Sequence, residues 1–63
     1  MNFNTRKAAF TASLAAKSTA EIERLFRAVE WSLRYETYGR DHEARSNDMN
    51  ERSWLFKELK RRA

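Results

Sequence analysis

His42 is the side chain best suited to proton transfer in this chain, standing between Asp41 and Glu43 with Ser46 four residues on. An imidazole beside carboxylates and a hydroxyl has the components of acid-base or nucleophilic chemistry, provided a fold holds them within hydrogen-bond reach and a pocket limits access of water. Neither condition can be read here, because the stretch 40–50 is polar and no glycine-rich loop or apolar run adjoins it. The same histidine is the only one in the chain and cysteine is absent, so the nitrogen and sulfur ligands of a zinc site cannot be assembled. The other carboxylates are dispersed, and Glu30 with Arg34 or Glu58 with Arg62 have the i,i+4 spacing of ordinary helix-surface ion pairs. The expectation is a non-enzymatic protein with no catalytic residue, cofactor, metal or small-molecule substrate.

Residues suited to binding are more conspicuous. On a helix advancing about 100° per residue, Ile22, Leu25, Phe26, Val29 and Leu33 fall on one face, as a core stripe should. Trp31, Tyr35 and Tyr38 cluster roughly opposite, with Arg27 and Arg34 beside them. A central helix sandwiched between two others would bury both faces. Otherwise the aromatic face is an interface with a second copy or a partner, since tryptophan and tyrosine concentrate binding energy. A second candidate lies at the end, where Trp54 stands among Lys57, Lys60, Arg61 and Arg62, predicted to lie across the helix from a Phe56 and Leu59 stripe. Bases interleaved with an aromatic can neutralise phosphates while stacking on a nucleobase. The same pattern also describes a solvated helix end whose cations complement the dipole, with the indole packed on a neighbour.

These residues need helices to position them, and the sequence supplies little else. There is no proline and one glycine, so almost nothing breaks a helix or builds a sheet. Asn4 can cap a first helix of about 5–17, with Phe3 stapling back and Phe10 and Leu14 four apart. Ser18-Thr19-Ala20-Glu21 is a capping box, starting a second helix of about 19–38 that Gly39 would close. A third helix has two candidate caps, Asp41 and Asp48; it is firm from Met49 and spans about 48–61. A helix-turn-helix hinged on Gly39 fails, because Arg45 and Asp48 would fall where its recognition helix needs apolar residues.

Sixty-three residues form one domain, and a chain of this size hides only about 60% of the surface it exposes unfolded. Without disulfides or a metal, self-association or folding on a partner is what remains for enlarging the core, and the all-α hairpin or three-helix unit is expected to be a homodimer. The net charge of +4 is uneven: residues 1–20 contribute +3 and residues 52–63 contribute +4, whereas residues 21–51 carry five arginines against eight acids. That distribution permits nucleic-acid contact without demanding it. Absence of cysteine suits a reducing compartment. No apolar run reaches the length of a membrane span and Met1-Asn2-Phe3-Asn4 lacks a signal-peptide core, so the expected location is cytoplasmic. Residues 1–20 are acid-free with Arg6, Lys7 and Lys17, as in mitochondrial transit peptides, but removing them would leave too little chain for a core.

The segment Asn4-Thr5-Arg6-Lys7-Ala8-Ala9-Phe10, followed by a capped helix and a Trp/Arg-rich helical end, resembles the short proteins of the early exo–xis region of lambdoid bacteriophages. That resemblance implies an early accessory protein in the host bacterial cytoplasm. Such a protein would modulate host physiology or the choice between lytic growth and lysogeny by binding a host protein. It carries over no site residues. The leading expectation is therefore a protein-interaction module anchored by Trp31, Tyr35 and Tyr38. The alternative is a small dimeric nucleic-acid binder, with Arg27, Arg34, Lys57, Lys60, Arg61 and Arg62 on phosphates.

Overall fold

The structure, a computed structural model, describes residues 2–36 and 41–63. These form three α-helices, α1 Phe3–Ala15, α2 Thr19–Tyr35 and α3 His42–Arg62, with no strand among the described residues. The first cap is Asn2 rather than the expected Asn4, its Oδ1 accepting the Thr5 N–H at 2.8 Å. Starting the helix two residues earlier puts Phe3, Phe10 and Leu14 at i, i+7 and i+11, one continuous stripe. Phe3 is thereby part of the packed face instead of a staple. The second cap is as expected: Ser18 Oγ accepts the Glu21 N–H at 3.1 Å, and a Glu21 carboxylate oxygen accepts the Ser18 N–H at 3.4 Å.

The other two boundaries move. Helix α2 stops at Tyr35, with Glu36 as C-cap donating its N–H to Ser32 O at 2.9 Å. Its expected terminator Gly39, and Tyr38, lie outside the described residues. Helix α3 takes the earlier of its two candidate caps, Asp41, whose Oδ1 accepts the Ala44 N–H at 2.7 Å. Its start near residue 48 is therefore corrected, and the polar stretch from His42 is helix. Asp48 instead faces α2, where Ser32 Oγ donates to it at 3.4 Å. At 21 residues α3 is about 31 Å long, long enough to serve both other helices.

Packing makes α3, not α2, the central helix. The fully buried cluster takes Leu14 from α1, Ile22 from α2 and Leu55 from α3, surrounded by Phe10, Phe26, Val29 and Leu59. Trp54 is 7% exposed and packs against Phe3 and Phe10, with ring centroids 5.6 and 5.4 Å away. The predicted stripe of α3 is thus inverted on one side: Trp54 faces the core and Phe56 is half exposed. On the Trp54 side α1 brings two phenylalanine rings, whereas the ring that α2 brings to Phe56 is Phe26. Leu25, expected on the core face of α2, is exposed. The molecule measures 34 × 25 × 15 Å with a radius of gyration of 12.0 Å, against about 11 Å for a compact chain of this length. It is a thin slab, and among the described residues no element covers the back of α2.

Candidate interaction surfaces

Two side chains on the back of α2 stand out of this slab. Trp31 is 54% and Tyr35 62% exposed, and their rings lean on one another with centroids 5.5 Å apart and planes tilted by 48°. The i,i+4 spacing on a helix places them in register, and the capping box at Ser18 fixes where that helix begins. Arg27, Glu30 and Arg34 complete a shallow hollow around the pair. Ala28 and the exposed Leu25 border a separate hollow on the same helix. The sequence placed Trp31, Tyr35, Arg27 and Arg34 together, and they do adjoin; Leu25 is the member it assigned to the core.

The basic end divides differently. Lys57 and Lys60 are exposed, and the Lys60 ammonium lies 5.7 Å over the Phe56 ring. Arg62 is engaged inside the fold: Nη2 donates to Leu14 O at 2.9 Å, Nη1 to Lys17 O at 2.9 Å and to Thr19 Oγ1 at 3.2 Å, and Nε to Glu58 at 2.7 Å. The last carbonyls of a helix lack intrahelical donors, and here an arginine from α3 supplies them where α1 ends. Arg61 holds the same carboxylate through two bonds of 3.0 and 2.6 Å. Of the basic residues proposed for phosphates, Arg62 is thus a clamp and Arg61 is ion-paired, while Trp54 has its ring in the core rather than open to a base.

Glu58 is 8% exposed, and its carboxyl is held down to about 2 from an ordinary 4.5, first by the hydrogen bonds from Arg61 and next by those from Arg62. A carboxylate with a depressed folded-state pKa contributes stability that is complete above its unfolded value and drains away as pH falls. The loss should run between about 4.5 and about 2. Glu51 has the opposite sign, raised by burial and by Asp48 with Arg6 partly offsetting, so its protonation relieves the fold. Thermal melts from pH 6 to pH 2 should show a declining midpoint that Glu58→Gln flattens. An unchanged decline in that variant would place the acid sensitivity elsewhere.

His42 is exposed in the first turn of α3, and among the described residues no group of three or more potential metal ligands comes together. No helix among the described residues is long and apolar enough to cross a membrane. Between Glu30 and Arg34 no ion pair forms among the described residues; both line a hollow instead. That hollow belongs to a surface the sequence reading missed. Arg45, Met49, Arg52 and Phe56 fall at i, i+4, i+7 and i+11 of α3, within about 60° of one another, and flank α2 beside Phe26 and Leu33. Reading the segment from Asp41 as helix would have revealed that stripe. Comparison with protein-family models, curated proteins and solved structures finds no match to this chain.

Proposed function

We propose that the chain is a non-enzymatic protein-interaction module that pairs with a second copy across the back of α2 and engages a host protein. The observation carrying this reading is the exposed Trp31 and Tyr35 ring pair on a helix face that no other helix covers among the described residues. Aromatic anchors flanked by arginine are the composition of interface centres. A fully buried core of three aliphatic side chains also leaves a 63-residue chain in need of further burial. The resemblance to early-region proteins of lambdoid phages implies that such a module works in the bacterial cytoplasm, modulating host physiology or the lytic decision.

Sedimentation of the wild type against Trp31→Ala with Tyr35→Ala tests the pairing. The wild type should run as a dimer and the double variant as a monomer of undiminished helicity per residue. Equal sedimentation of the two would end the pairing role of this face. Capture of one discrete bacterial protein, in equal amounts from nuclease-treated and untreated lysate, is expected for the host interaction. Recovery that vanishes with nuclease would mark a nucleic-acid binder instead.

A further inference from the structure

We propose that the groove between α2 and α3 binds an acidic amphipathic helix of a partner protein, a reading that rests on the interaction-module proposal and adds the chemistry of its ligand. Apolar side chains stand among the charged ones in its lining: Phe26 and Phe56 lie 6.2 Å apart, Met49 and Phe56 are about half exposed, and Leu33 closes one end. Methionine and phenylalanine adapt to an incoming apolar stripe without demanding one shape. Two adjoining hollows share Glu30, Met49 and Arg52, so the groove is continuous. From Arg45 to Phe56 it follows α3 for about 17 Å, the length of three helical turns.

The rim is cationic. Arg34, Arg45 and Arg52 all border the first hollow. Among the described residues none of the three forms an ion pair, and the Arg45 guanidinium donates one long hydrogen bond, to Leu33 O at 3.4 Å. Guanidinium groups held beside apolar surface suit bidentate carboxylate recognition better than lysines would. Arg45 and Arg52 are two turns apart, about 10.5 Å along the axis, so a docked helix meets both with carboxylates at i and i+7. Glu30 stands in both hollows, so the carboxylates of a docked helix belong opposite Arg45 and Arg52 and away from Glu30. Within this chain α1 contains no acid and the last turns of α3 are basic, whereas residues 21–51 carry eight acids, so a second copy is an occupant that the oligomeric state of the variants tests.

The test is a fluorescence anisotropy titration of the full chain with a labelled 16-residue helical peptide carrying a leucine stripe and glutamates at i and i+7. A matching peptide with glutamines and a single-stranded RNA of similar length serve as parallel probes. The glutamate peptide should bind at least tenfold more tightly than the glutamine peptide. Arg45→Glu with Arg52→Glu should abolish that preference and transfer it to a lysine-bearing peptide, with circular dichroism verifying the fold. Met49→Lys, on the exposed floor, should weaken the glutamate peptide independently of those arginines. Equal binding of the glutamate and glutamine peptides, or tighter binding of the RNA, would overturn the proposal. So would a monomer produced by the arginine double variant, which would make the groove a self-interface. Trp31→Ala should leave peptide affinity unchanged, so failure of the groove and failure of the α2 back face are read separately.

Discussion

Trp54→Ala is expected to abolish cooperative folding at micromolar concentration, read as loss of the thermal transition in far-ultraviolet circular dichroism. Truncating a buried tryptophan costs about 3–5 kcal/mol, and a single core in a chain this small rarely provides more than about 3–5 kcal/mol in total. The indole is the contact between α3 and both Phe3 and Phe10, so its removal opens a cavity along the whole α1 junction. Trp54→Phe retains an aromatic ring and should retain the transition at a lower midpoint. A melting midpoint for Trp54→Ala within a few degrees of wild type would show that α1 contributes little to the fold. The contrast with Trp31→Ala is the point of the experiment: two tryptophans in one chain, one sustaining the core and one exposed, should separate stability from association.

Arg62→Ala should have the next largest effect, detaching the end of α1 without emptying the core. A hydrogen bond from a charged donor contributes about 1.5–3 kcal/mol, and this guanidinium serves two backbone carbonyls, Leu14 O and Lys17 O. Since about 1 kcal/mol moves the midpoint of a small domain by roughly 4–8 °C, a drop of about 10 °C is expected. Amide hydrogen exchange should accelerate across the α1–α2 junction more than in the middle of α3. Arg62→Lys would restore charge but not the four-way geometry, because a single ammonium cannot reach partners on both helices in the same fork. Uniform acceleration through all three helices would mean that the clamp is merely one more surface contact.

How much of this was legible in the chain depends on whether the deciding interaction was local. The capping box at Ser18 was readable because its partners lie three residues apart and need nothing from the rest of the molecule. The juxtaposition of Trp31, Tyr35, Arg27 and Arg34 was readable for the same reason, being a property of one helix turning at its regular pitch. Asn2 and Asn4 are both competent caps, and choosing between them required knowing that Trp54 waits for Phe3. Asp41 and Asp48 posed the same problem at α3, where the contact of Ser32 with Asp48 favours the longer helix.

The sequence by itself determined the all-helical class, the start of α2 and the grouping of Trp31 and Tyr35 opposite its core stripe, because propensity, capping and periodicity act within a few residues; whether the chain is a hairpin or a three-helix unit, and whether that aromatic group is covered, it left open. Tertiary structure decided that α3 is central, that Trp54 is core and Phe56 surface, that Arg62 caps α1 across more than forty residues of chain, and that an arginine-rimmed groove lies between α2 and α3. Each of those depends on which faces of three amphipathic helices meet. Helices with more than one apolar stripe allow several such pairings, and burial summed over the whole molecule selects among them.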